Sequence, residues 1–274
     1  MNHVMALNDT LSSPAVLDGQ WAVFDYARGY DPARAAVGVM DLFRLPKFSY
    51  YFFRSQRDAT ETGASWKVSA VLFIASYWTA GSDLRILVFS NCDEVELLLN
   101  GSPIARHHPA QTAFTQHLPH PPFLFDLPRF TPGQLEATGY IGSQIRARHV
   151  VMTPLVAKKL ELSIIDMGVT AAPGEPDLLT AHARLCDVNG TLCVDDTSAI
   201  TFTTEGVVDI VGPLTVAAEA GIASVVLRLP ADSNSFTLKA RREARDDIPA
   251  AVLHWQKTAG SAAAVPHQEV VLVK

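Results

Sequence analysis

The stretch SNCDEVELLLNG, Ser90 to Gly101, constrains this chain more than any other. Val95, Leu97 and Leu99 alternate with polar residues, which is the period of a strand with one buried face. The run ends in Asn100-Gly101, a pair that tolerates the positive φ angles of a two-residue hairpin turn. A half-buried strand that folds straight back on itself points to an antiparallel sandwich. Strands are predicted around it at 68–76, 84–90, 95–99, 104–107, 123–127, 135–140 and 145–151, divided by Gly, Pro and Asn. Seven short strands in about 90 residues is the spacing of an immunoglobulin-like sandwich.

The pattern recurs downstream. Strands are predicted at 159–163, 178–187, 192–194, 200–204, 207–211, 223–229 and 236–240, with a hairpin signal at Asp187-Val188-Asn189-Gly190. This reads as a second sandwich. The tail from Asp246 has no clear pattern until a last strand at 269–274. Upstream of residue 66 the character is different. A helix is expected over 3–11, stopped by Pro14. A strand over 16–26 runs into the turn-rich loop ARGYDPARA. Pro46 opens a second helix, PKFSYYFFRSQ, at the first helical position, where proline fits best. Its aromatics cover more than one face, so it needs a sizeable body to pack against.

Composition narrows the partners. With 48% hydrophobic residues over 274, the chain can bury a core, and its length suits about two domains. A net charge of -6 argues against nucleic acid, which needs a cationic face. The one dense basic cluster, Lys239 to Arg245, is interrupted by Glu243 and reads as a solvated strand end. No apolar run approaches the roughly 20 residues of a membrane span. The segment MNHVMALNDTLSS lacks the basic start and apolar centre of a secretory signal, and the compartment stays open.

Reactive side chains are sparse. Three cysteines make neither a disulfide scaffold nor a zinc site. Cys92 reads as a small buried hydrophobe. Cys186 and Cys193 flank Asn189-Gly190 symmetrically, so a tight hairpin would set them opposite one another, either bridged or as two reduced core thiols. His107, His108, His117 and His120 share a proline-rich stretch, but their spacing matches no common metal site and reads as a solvated loop. Gly142-Ser143 falls between two strands and is a hairpin rather than a nucleophile elbow. No phosphate loop or dinucleotide fingerprint is present. No metal and no cofactor are expected.

Several longer phrases carry a resemblance. WAVFDYARGYDP is similar to the end of the eighth barrel strand in glycoside hydrolase family 2 enzymes of the β-galactosidase type. GVMDLFRLPKFSYYFFRSQRD resembles the loop and helix that close that barrel. SNCDEVELLLNG, PPFLFDL and GQLEATGYIGSQ resemble the first sandwich after it, and LTAHARLCDVNGTLCVDD with ITFTTEGVVDIVG the next. The blocks occur in the family's order over residues 1 to about 245.

The resemblance implies a mainly β fold: two immunoglobulin-like β-sandwiches, 67–154 and 155–274, preceded at 1–66 by a short α/β remnant of a TIM barrel. A whole barrel takes about 250 residues. Retaining glycosidases use two carboxylates about 5 Å apart. In the family these are glutamates on the fourth and seventh strands, and no segment here matches either. No catalytic residue is therefore expected in this chain. The resemblance does assign Trp21 as a sugar-stacking aromatic and Asp25 as a hydrogen-bond acceptor, both working only in a complete barrel. Asp31 and Asp41 would lie near the same barrel mouth. Carbohydrate is the implied partner of the complete enzyme. A complementary chain would supply the missing barrel and cover the aromatic helix 48–53, an exposed apolar face until then. The alternative is a free-standing carbohydrate-binding or adhesion module, whose aromatic platforms would be Tyr77, Trp78 or Trp255.

Overall fold

The computed structural model describes residues 2–14, 19–20, 22–31, 33–59, 69–166, 171–172, 174–243, 247–257 and 271–272. The chain divides into two compact units, Met1–Thr153 with His267–Lys274, and Pro154–Pro266. The fold is mainly β, with each unit a sandwich of antiparallel sheets.

Unit 1 begins with helix α1 (Asn2–Ser12), a two-strand ribbon of β1 (Tyr26–Ala27) and β2 (Arg34–Ala35), and helix α2 (Phe48–Ser55). Its sandwich pairs a three-stranded sheet with a larger one. The first contains β3 (Leu72–Ile74), β4 (Arg85–Ser90) and β7 (Phe123–Asp126) in the order β3-β4-β7. The second contains β5 (Glu94–Leu99), β6 (Ser102–His107), β8 (Gln134–Ile141), β9 (Gln144–Met152) and β18 (Val271–Leu272), in the order β18-β9-β8-β5-β6. Asn100 and Gly101, at φ 52° and 78°, make the expected tight turn between β5 and β6. The Asn100 side chain then ties the turn to β8: its Oδ1 accepts from the Gln134 N–H at 2.8 Å.

The sheet β3-β4-β7 is apolar on both faces. Leu72, Ile74, Ile86 and Val88 point into the sandwich core with Val95, Leu97, Phe123 and Leu135. Phe73 and Phe89, of opposite parity, form a second cluster with Val4 of α1 and Tyr51 and Phe52 of α2. Tyr51 stacks on Phe73 with centroids 3.7 Å apart. The body that the aromatic helix needed is thus the outer wall of the sandwich. Tyr51 and Phe52 are buried within this chain, which corrects the picture of a helix left exposed. Side-chain amides fasten the helices further. Asn8 accepts from the His117 N–H at 3.0 Å and donates to the Ala113 carbonyl at 3.3 Å. Gln56 donates to the His120 carbonyl at 2.8 Å. The first helical position of α2 is Phe48 and Lys47 is the residue that precedes it, so Pro46 sits two residues before the position predicted for it.

The strand predicted over 16–26 is reduced to Tyr26 and one bridge among its described residues. Residues 15–18 and 21 lie outside the described residues. Beyond them, Phe24 makes a single parallel bridge to Met40, and only Tyr26–Ala27 forms a strand. A parallel strand is held by neighbours on its flanks, and the described residues offer it one bridge.

Gly139 in β8 marks a close approach. A Cβ there would lie 2.7 Å from the Cys92 sulfur. Gly139→Ala is expected to destabilise unit 1 by about 1–3 kcal/mol through overpacking. Cys92→Ala in the same chain should recover most of that loss in a urea-unfolding double-mutant cycle. Equal destabilisation with and without Cys92 would show that the contact is not the cause.

Unit 2 stacks two four-stranded sheets. One is β10 (Lys159–Asp166), β11 (Asp177–Cys186), β15 (Ile222–Leu229) and β13 (Asp209–Val211), in that spatial order. The other runs β14-β12-β16-β17, with β14 (Thr215–Ala217), β12 (Ala199–Gly206), β16 (Ser235–Arg242) and β17 (Ala251–Gln256). Leu179, Ala181, Ala183 and Leu185 face Ile200, Phe202, Phe236 and Leu238 across the core. The predicted strand 192–194 shrinks to one bridge, Leu192 to Cys186. The cause is Asp187, whose Oδ1 accepts from the N–H groups of Asn189 and Thr191 at 2.8 and 2.9 Å. That clasp rounds the connection into a loop. The patternless tail contains β17, which pairs with β16 along Ser235–Gln256 to Ala240–Ala251.

Candidate functional site

Asp25 is 4% exposed, and its surroundings are built tightly. Its N–H donates to the Met40 carbonyl at 3.0 Å, which fixes the backbone. Its Oδ1 accepts from the Gly38 N–H at 2.9 Å and from Lys47 Nζ at 2.7 Å. Lys47 also donates to the Ala36 carbonyl at 3.3 Å. Gly38 passes so close that a Cβ would meet the Phe24 carbonyl carbon at 2.3 Å. The Arg44 guanidinium lies 3.5 Å over the Phe24 ring. Asp25 is therefore a fixed anion that organises the loop 36–47 through one oxygen. Trp21, the other assigned residue, lies outside the described residues.

The neighbouring carboxylates are spent on turns. Asp31 Oδ1 accepts from the Ala33 N–H at 2.8 Å, and Asp31 pairs with Arg28 at 3.7 Å. Asp41 Oδ1 accepts from the N–H groups of Phe43 and Leu45, each at 2.8 Å. Asp31 and Asp41 thus bond backbone N–H groups of their own turns, whereas Asp25 reaches across to Gly38 and Lys47.

The four loop histidines diverge. His107 stacks on Phe125, His108 lies 3.2 Å from Glu94, and His120 Nε2 lies 2.9 Å from Asp58. His117 meets Gln116. Among the described residues no three His, Cys, Asp or Glu side chains converge to hold a metal. The cysteines are free and buried. Burial pushes the Cys186 thiol up to about 12 and the Cys193 thiol to about 11, so both stay protonated and unreactive at neutral pH. Cys193 belongs to the unit 2 core, whereas Cys186 has the opposite parity to core residues Ala183 and Leu185. They do not face one another across a hairpin.

The three candidate aromatic platforms have different surroundings. Trp78 is fully buried, with Nε1 donating to the Thr131 carbonyl at 3.1 Å. Tyr77 rests on Phe48 at 4.9 Å and stays 41% exposed, and Trp255 stacks on Phe236 at 5.1 Å. Sequence reasoning missed two buried histidines, His149 and His182, each 1% exposed. His149 Nδ1 accepts from the Ile74 N–H at 3.1 Å. Its place was visible in the alternation Ala147, His149, Val151, all on the inward face of β9. His182 bonds Ser224 at 2.9 Å from the other face of β11, and no alternation signals that. Arg242, expected in solvent, is 5% exposed and pairs with Asp196 at 2.9 Å. An open cavity of about 600 Å³ lies beside it, lined by 154–157, 193, 195–199 and 242–243. No helix among the described residues is long and apolar enough to cross a membrane.

Two antiparallel β-sandwiches after a short helical segment define the class of mainly β sandwich proteins. Residues 81–146 match the model of a domain of unknown function, DUF4982. A β-galactosidase of Thermoanaerobacter pseudethanolicus is 32% identical over 234 residues, which is 81% of this chain and 31% of that protein. A β-galactosidase of Rhizobium meliloti is 32% identical over 148 residues, 50% of this chain and 18% of that protein. Among solved structures, a β-glycosidase from Bacteroides vulgatus superposes with a TM-score of 0.68 at 18% identity, covering 86% of this chain and 30% of that one. A glycosyl hydrolase family 2 member from Bacteroides cellulosilyticus gives 0.65 at 21% identity, covering 85% and 33%. This chain is a portion of a glycoside hydrolase family 2 protein. It spans 31% or less of the length of these two curated relatives.

Proposed function

We propose that this chain is the C-terminal portion of a retaining glycosidase that hydrolyses a β-linked sugar, with β-galactoside the substrate suggested by its relatives. In this reading residues 1–66 close the catalytic barrel, 67–154 and 155–274 are trailing sandwiches, and the acid and nucleophile belong to other polypeptide. The observation that carries it is the 32% identity to a β-galactosidase along 81% of the chain. The engagement of Asp25, Asp31 and Asp41 with different N–H and lysine donors, as loop-fixing groups, supports placing the catalytic pair in other polypeptide. In the complete barrel Trp21 stacks on the sugar and Asp25 accepts from its hydroxyls, while Lys47 and Gly38 hold Asp25 in place. The rest of the barrel comes from the same polypeptide or from a complementary chain.

The test is a chromogenic β-galactoside assay. The purified chain is expected to give no turnover, because removing both carboxylates removes the mechanism itself. Mixing with a polypeptide carrying the upstream barrel should restore it. Turnover by the chain alone, lost on substituting one of its own carboxylates, would overturn the proposal.

A further inference from the structure

The cavity in unit 2 is accounted for by neither a turn nor the core. Its volume of about 600 Å³ falls within the roughly 300–1,000 Å³ of small-ligand sites. Arg242 is anchored at its edge, with Nε donating to Ser198 Oγ at 2.9 Å and Nη2 to Asp196 at 2.9 Å. Among the described residues Nη1 of this buried guanidinium makes no hydrogen bond, and it lies 3.7 Å from the Asp247 carboxylate. Asp195 and Thr197 are exposed on the lining. Asp195 has no hydrogen bond or ion pair among the described residues. Leu155 and Val156, 60% and 68% exposed, form an aliphatic ledge on the same cavity.

We propose that this cavity binds an uncharged saccharide unit. The charges decide the class. Asp196 and Asp247 share Arg242 at 2.9 and 3.7 Å, and Glu243 is matched by Arg241 at 3.0 Å, so the carboxylates here outnumber the cations. Asp195 has no cationic partner among the described residues. A carboxylate accepts hydroxyl protons in charge-assisted hydrogen bonds and repels a second carboxylate. Thr197 adds a hydroxyl that can donate or accept. The C–H face of a sugar ring covers the Leu155–Val156 ledge and removes its apolar surface from water. The choice of a saccharide rests on the glycosidase reading above; the cavity and its charge do not.

The experiment is an amide NMR titration of the whole chain with lactose and, as the anionic counterpart, methyl β-glucuronide. Lactose is expected to shift the amides of 155–157 and 195–199, with methyl β-glucuronide binding about tenfold more weakly. Asp195→Ala should weaken lactose by about tenfold, and Thr197→Val by less. Asp195→Asn should close the gap between the two sugars. Asp195 is exposed, so these variants should keep the parent spectrum elsewhere, which separates lost binding from lost folding. Lactose shifts that miss these amides, equal lactose affinity in Asp195→Ala, or shifts produced only by a lysine peptide would each overturn the proposal. Anomeric proton signals in the same tube report any lactose cleavage, which would sink the catalytic reading and leave this one standing.

Discussion

Trp78→Ala is expected to destabilise unit 1 by roughly 3–5 kcal/mol, the cost of emptying a large aromatic site in a packed core. Trp78 is among the largest fully buried side chains and packs against Phe130 at 4.9 Å. Its removal also leaves the Thr131 carbonyl without the indole N–H. A stability of only about 5–15 kcal/mol is typical of a domain, so the variant should unfold at much lower urea. Trp78→Phe should lose less, since it keeps a ring and drops the hydrogen bond. The measurement separates two roles for this tryptophan. A binding platform would lose sugar affinity and keep its urea midpoint. A core residue shifts the midpoint and leaves the folded fraction competent.

The second large effect is acid sensitivity. Burial holds both His149 and His182 down at about 4, against 6.5 for a free imidazole. The folded chain refuses a proton that the unfolded chain accepts between those values. Stability from each histidine is therefore intact above pH 6.5, declines as pH falls, and is fully lost below about 4. Two and a half pH units correspond to roughly 3 kcal/mol per histidine. The losses fall on different units, His149 on the first and His182 on the second. Urea midpoints measured from pH 7.5 down to 4 should drop for both. His149→Gln keeps an acceptor for the Ile74 N–H and does not titrate, so it should flatten the pH dependence of unit 1 alone. An unchanged slope in that variant would remove His149 as the cause.

In unit 1, β5 and β9 were readable from a one-sided alternation, and the doubly buried β3 from a short β-branched and aromatic run. Asn100-Gly101 and Gly142-Ser143 both did what their backbone preferences suggest. What escaped the sequence was long-range. β17, AVLHWQ, reads as part of an alanine-rich tail until β16 is there to pair with it. The basic run at 239–245 looked uniformly solvated, yet strand parity turns Arg242 inward toward Asp196, 46 residues away. The loop carboxylate Asp187 changed a predicted strand into a clasp by competing for backbone N–H groups. Of the candidate site, Asp25 could be named from sequence, but its lysine and glycine partners are set by how the loop folds. The unit 2 cavity gave no signal, since Leu155, Asp195 and Arg242 belong to three separated segments.

The sheet whose two sides are both oily has a consequence for anyone who would transplant this domain. A cut just ahead of residue 69 would strip away Val4, Tyr51 and Phe52 and leave Phe73 and Phe89 as a bare greasy wall. The leading helices and the first sandwich must therefore travel together, whether the transfer is made by a cloner or by recombination between genes.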